Sequence, residues 1–152
     1  MAALLPTACA PSPEARFAKG LAAHSAGNYP LALSEWQPLA DTGHRDAQHN
    51  LGIMYFQGQG VETDHAEAAK WFRAAAEQGA RRAPLSLALL YASGDGVERD
   101  LVQAYKWARI AVDQGDANAE NTRGSLGRQM TAEQVAEGES LADAWRPSRS
   151  GS

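Results

Sequence analysis

The sequence predicts an all-α protein, a solenoid of antiparallel helix pairs with about eight helices, and three observations carry that reading. Sliding the chain against itself by 36 residues lays His44 to Gly79 over Ala80 to Gly115; 16 of those 36 positions are identical, where chance would give roughly two or three. Gly43, Gly79 and Gly115 recur at the same spacing, each just past a helical stretch, where a left-handed glycine commonly ends a helix. Within each copy apolar residues return every fourth position, as Ala47, Leu51 and Tyr55 and again as Ala83, Leu87 and Tyr91, which lays them along one helical stripe.

In order along the chain, residues 1–13 are expected to form a disordered tail. Its opening stretch, MAALLPTACAPS, is apolar but too short to span a bilayer, and it fits the remnant of an export signal. Pro6-Thr7-Ala8-Cys9 is loosely similar to a bacterial lipoprotein attachment site, with proline where leucine is usual; the other reading of Cys9 is an idle thiol. One repeat domain is expected over 14–145, in units at about 14–43, 44–79 and 80–115 with a degenerate capping unit at 116–145, followed by a disordered tail at 146–152.

The first unit places helices at about Glu14 to Ala26 and Pro30 to Asp41 around a short Gly27-Asn28-Tyr29 hinge, with Ala32, Trp36 and Ala40 matching Ala68, Phe72 and Ala76. In the second, a helix over about Asp46 to Gln57 carries Gly52, which lets another backbone come close, and stops at Gly58-Gln59-Gly60. Val61 anchors the turn, and Asp64 caps a helix that buries Ala68, Trp71 and Ala75, points Lys70 and Arg73 outward and ends at Gly79. The third unit repeats this with Leu87, Tyr91, Gly94, Gly96, Asp100, Ala104, Trp107 and Gly115, but with Ala88 in the place of Gly52. Beyond it Arg123 replaces the leucine and Gly127 the tyrosine. A capping box, Thr131-x-x-Gln134, then opens a last helix with Val135, Leu141, Ala142 and Trp145 at helical spacing. Trp36, Trp71, Trp107, Trp145, Tyr55 and Tyr91 fall at repeat positions and read as core rather than as an aromatic binding ladder.

The Leu51-Gly52-x-x-Tyr55 helix, the Gly58-x-Gly60-Val61-x-x-Asp64 turn and the Ala68-x-x-Trp71 helix resemble Sel1-like repeats, relatives of tetratricopeptide repeats, and the second copy from Leu87 to Gly115 resembles them equally. Phe17 to Gly43 is more similar to an ordinary tetratricopeptide unit. The resemblance implies a right-handed α-solenoid whose concave face recruits other proteins, often in bacterial envelope or signalling assemblies. Ala88 implies slightly looser helix packing in its unit.

A net charge of −4 leaves no basic stripe for a phosphate backbone, so nucleic acid is not an expected partner. Cys9 is the single cysteine, which excludes an internal disulfide and a cysteine-based zinc site. Some cysteine-rich members of the resembled family bind or hydrolyse β-lactams, which makes a cell-wall-related hydrolase or β-lactam-binding protein the alternative function. Those members staple their repeats with disulfides, and the chain has no Ser-x-x-Lys pair. His24, His44, His49 and His65 show no zinc spacing and read as surface or cap-adjacent. Glu137 and Glu139 point in different directions from one helix, and Gly58-x-Gly60 and Gly94-x-Gly96 lack the rest of a phosphate cradle. No catalytic residue, metal or cofactor is expected.

The leading expectation is a non-enzymatic scaffold that binds a peptide or protein segment. In such solenoids the first helix of each unit lines the concave groove, and its non-repeating positions are free to specialise. Those positions are Phe17, Leu21 and His24 in the first unit, His49, Ile53, Phe56 and Gln57 in the second, and Leu85, Leu89 and Ser93 in the third. Phe56 stands out because Ala92 takes its place in the next copy, so the repeat itself does not require an aromatic there. The exposed ends of a short solenoid would also allow homo-oligomerisation. The expected location is the periplasm or cell envelope, with the cytoplasm as alternative.

Overall fold

The computed structural model describes residues 9–147. Among them are eight α-helices and no strand: α1 (Pro13–Ser25), α2 (Tyr29–Asp41), α3 (Arg45–Gln57), α4 (His65–Glu77), α5 (Ala83–Ser93), α6 (Leu101–Asp113), α7 (Ala119–Gly127) and α8 (Ala132–Ala144). Residues 1–8 and 148–152, which hold most of the two expected tails and most of the export-signal-like stretch, lie outside the described residues. Cys9 is exposed.

Local chemistry explains where the helices start. Asp64 accepts from the Glu67 backbone N–H at 2.9 Å, and Asp100, its repeat partner, accepts from Val102 and Gln103 at 2.9 and 3.0 Å. Thr131 and Gln134 form the expected reciprocal box, with distances of 3.2 and 2.9 Å. His44 caps α3 through its ring Nδ1, which accepts from Ala47 N–H at 3.2 Å. The turns between the paired helices are also alike: Asp64 N–H donates to the Tyr55 carbonyl and Asp100 N–H to the Tyr91 carbonyl, at 2.9 and 3.0 Å. The second glycine of each turn lies against the start of the second helix of the preceding unit. A methyl group on Gly60 would come within 2.8 Å of Tyr29, and one on Gly96 would collide with the His65 backbone.

Through α7 each helix packs on the next, α1 on α2, α3 on α4 and α5 on α6, with α2–α3, α4–α5 and α6–α7 joining the pairs. Inside the first two pairs an aromatic ring from the second helix lies on a glycine of the first. The Trp36 indole covers Gly20 and donates its N–H to the Phe17 carbonyl at 3.2 Å, and the Phe72 ring covers Gly52, where a Cβ would stand 2.6 Å from it. In the third pair both sizes change together: Ala88 stands at the glycine position and Ala108 at the aromatic one, both buried. The looser packing expected at Ala88 is thus offset, because the side chain facing it has shrunk.

Two expectations for the core are corrected. Trp71 is only half-buried and packs against the N-terminal cluster, while its neighbour Phe72 fills the core of α4. Trp107, the repeat partner of Trp71, is buried because Trp145 closes over it edge-on at 5.9 Å. Tyr55 is likewise half-buried where Tyr91 is buried, and the large side chains of α3 that are fully enclosed are Leu51 and Met54. Trp145 lies just past the end of α8 as its C-cap, in extended backbone, rather than on the helix.

The chain closes with α8 folded over α6. Gly138 admits the Tyr105 ring, with a Cβ distance of 2.8 Å, and the Tyr105 hydroxyl donates to Glu139 at 2.7 Å. Arg109 reaches the other oxygen of Glu139 at 3.1 Å. Arg123, the residue that breaks the leucine stripe, pairs with Glu120 at 2.7 Å and approaches Glu139 at 3.7 Å. The degenerate unit has exchanged part of an apolar seam for a polar clamp.

Gly52→Ala is expected to destabilise the protein by about 1–3 kcal/mol through collision with Phe72, and Phe72→Ala alone by about 3–5 kcal/mol through the cavity it leaves. The double variant, which installs the Ala88–Ala108 pairing in the second unit, should lose less than the sum. Urea unfolding of the four proteins measures that coupling, and strict additivity would refute the ring-on-glycine account.

Candidate partner-binding groove

The first helices of the second and third units, α3 and α5, present equivalent positions to one side of the molecule. Asp46, His49 and Ile53 on α3 correspond to Arg82, the N-cap of α5, and to Leu85 and Leu89 within it, at the repeat spacing of 36. Between these stripes run two hollows. One, of about 560 Å³, is walled by His49, Ile53, Leu85 and Leu89 and ends at Arg81, Arg82, Asp116 and Asn118. The other, of about 190 Å³, is apolar and lies among Ile53, Phe56, Gln57, Phe72, Leu89 and Leu90. Ile53, Ser86 and Leu89 belong to both, so the hollows adjoin.

The local sequence makes this surface apolar. Helix α5, APLSLALLYAS, holds no charged residue. Leu87 and Leu90 face the core, Leu85 is half-buried, and Leu89 stands 50% exposed in the groove. A helix that is apolar all round is ordinarily covered all round. Phe56, at 38% exposure, is held out at the end of α3 by stacking on the His65 ring, with centroids 4.7 Å apart and planes at 23°.

His49 departs from the expectation of a surface or cap-adjacent histidine. It is buried, with its ring 5.5 Å from that of Phe72. Burial, and then the positive charge of Arg82, hold its pKa below the ordinary 6.5, so the ring is neutral at pH 7. His24, His44 and His65 are half-buried, and His44 and His65 adjoin helix starts as the cap-adjacent reading anticipates.

Of the ten residues singled out on the first helices, His49, Ile53, Phe56, Gln57, Leu85 and Leu89 are brought together here. The other four are not. Phe17 stacks on His44 at 4.9 Å and lies against Trp36, and His24 bonds Gln59 at 2.8 Å between the rings of Tyr29 and Trp36, so both serve the contact between the first two units. Leu21 is exposed but lines neither hollow. The Ser93 hydroxyl is tied to Asp95 at 2.7 Å in the turn after α5. The sequence reading missed Arg81, Arg82, Asp116 and Asn118. Positions 46, 82 and 118 carry Asp, Arg and Asn, a variation within the repeat that marked them out as free to specialise.

Among the described residues no group of three or more His, Cys, Asp or Glu side chains is placed to hold a metal, and no helix is long and apolar enough to cross a membrane.

Repeated helix pairs, ring-on-glycine packing and a groove between equivalent first helices define a short α-solenoid of the repeat-protein class. The Sel1 repeat model matches residues 45–79 and 85–116, so the chain carries two Sel1 repeats, a fold typically used for protein–protein interaction. It is similar to the crystal structure of a protective antigen of uropathogenic Escherichia coli displaying an SLR fold, with a TM-score of 0.82 and 33% identity over 86% of this chain. It is also similar to a Sel1 repeat protein from Oxalobacter formigenes, with a TM-score of 0.71 and 29% identity over 83% of this chain. The chain spans 29% of the first of these proteins and 54% of the second. No curated protein matches it in sequence.

Because the Arg82 charge helps keep the His49 proton off, Arg82→Ala should move the His49 titration upward, toward 6.5. A histidine with a depressed folded-state pKa contributes stability that is complete above its unfolded pKa and declines as pH falls through that value. Folding stability should therefore drop below about pH 6.5, and drop less in the Arg82→Ala protein. NMR titration of the ring and urea unfolding across pH 5–8 check both; an unmoved His49 titration would show that the two groups do not face each other.

Proposed function

We propose that this protein is a non-enzymatic scaffold that takes a segment of a partner protein into the groove between α3 and α5. The observation that carries the reading is the uncharged α5, whose Leu89 stands exposed beside Phe56 at an apolar hollow that the fold itself leaves open. Burying a leucine or phenylalanine side chain fully is worth roughly 1.5–3 kcal/mol, so two such anchors supply a useful share of a micromolar affinity. Their positions suit an anchor because neither is needed by the repeat: Phe56 is replaced by Ala92 in the next copy, and Leu89 faces away from the core. Ile53, Gln57 and Leu85 would line the bound segment, with the buried His49 beneath it.

We place this scaffold in the cell envelope, a reading supported by the apolar N-terminal stretch and by the likeness to an antigen of uropathogenic bacteria. Fractionation of cells expressing the protein from its native gene start tests it; recovery only in the cytoplasm would overturn it.

Phe56→Ala with Leu89→Ser is expected to keep the helix content and lower the melting temperature only slightly, because the side chains are 38% and 50% exposed. Capture of partners from the source cells, followed by mass spectrometry, should lose its specific set in this double variant. Recovery of the same set by both proteins would remove the groove from the function.

A further inference from the structure

The polar end of the groove carries information that the apolar end does not. Arg81 and Arg82 are exposed there, and among the described residues neither guanidinium forms an ion pair. The carboxylate beside them, Asp116, already accepts from the Asn118 backbone N–H at 2.9 Å. Two cations without an ion pair thus face the engaged Asp116, and Asp46 of α3, whose charge also reaches His49, acts there more weakly than Arg82, in a chain whose net charge is −4. The N-caps of α5 and α7, Arg82 and Asn118, line the same end and make no side-chain cap bond, so the helix dipoles add to the positive potential.

We propose that the segment bound in this groove is acidic, with a carboxylate seated on Arg81 and Arg82 and an apolar anchor seated between Phe56 and Leu89. The inference rests on the groove reading above and names the chemistry of its occupant. A guanidinium fork receives a planar carboxylate with two parallel hydrogen bonds, which a lone ammonium cannot do. A basic segment would instead set like charges together at the rim, and a nucleic acid would find no use for the apolar hollow while meeting the net negative charge of the chain. The spacing follows from α5 itself. Arg82 and Leu89 are seven residues apart, about 10 Å along the helix at a rise of 1.5 Å per residue. An extended segment advances about 3.3 Å per residue, so the carboxylate and the anchor lie about three residues apart.

The test is selection from a display library of random peptides on the immobilised full chain, run in parallel on wild type, on Arg81→Glu with Arg82→Glu, and on Phe56→Ala with Leu89→Ser. Wild type should enrich Asp or Glu about three positions from a large apolar residue. The charge-reversed protein should enrich Lys or Arg at that place and keep the anchor. Fluorescence anisotropy of a selected acidic peptide should show affinity falling about tenfold or more on charge reversal, and falling with added salt in wild type alone. Neutral or basic winners on wild type, or the same winners on the charge-reversed protein, would overturn the acidic occupant while leaving groove binding intact. Equal enrichment by wild type and the Phe56→Ala, Leu89→Ser protein, or enrichment by neither, would remove the groove reading and this inference with it. All four positions are exposed, so circular dichroism should show the same fold throughout; Arg82→Gln replaces the charge reversal if that variant melts early.

Discussion

Everything in this fold depends on how closely the two helices of a pair can approach. In the first two pairs a glycine on one helix makes room for a ring on the other, Gly20 for Trp36 and Gly52 for Phe72, and Gly138 does the same for Tyr105 where α8 meets α6. A protein of this size buries limited area per helix, so close ring-on-backbone contact is an efficient source of packing. The exchange to Ala88 and Ala108 in the third pair shows that the constraint is a summed volume rather than a particular residue. The turn glycines extend the constraint between units, where Gly60 and Gly96 lie on the starts of α2 and α4.

Close pairing also decides which surface is left for function. Once Leu87 and Leu90 are committed to the core, the remaining leucines of α5 have nowhere to go but the face shared with α3. The groove is therefore a by-product of the repeat, and its character comes from the residues that the repeat does not dictate. At the C-terminal end the same logic is reversed. There the open hydrophobic face would be a liability, and α8 covers it with a polar clamp around Glu139 rather than with another stripe of leucines.

Much of this was legible in advance because it is local. Asp64, Asp100 and Thr131 cap their helices wherever those helices point, since the bonds run to backbone groups two or three residues away. The distribution of burial was less legible. Trp71 and Phe72 are neighbours, about 100° apart on the helix, and periodicity narrows the buried face only to about that width. Which ring went inward was decided by the presence of Gly52 opposite Phe72 and by the lack of a counterpart to Trp145 over Trp71. His49 was hidden for the same reason, since its burial comes from Phe72 of another helix.

The amino-acid sequence by itself determined the class of fold, the period, the helix starts and stops and the positions released from the repeat, because each rests on interactions within a few residues or on identity between copies. The tertiary structure alone decided which released positions share a surface. Phe17 and His24 were drawn into the contact between units, while Phe56, Leu89, Arg81 and Arg82 were assembled along one groove. The physical reason is that a shared surface depends on the angle and distance between helices, and these are set by the combined volume of side chains far apart in the chain.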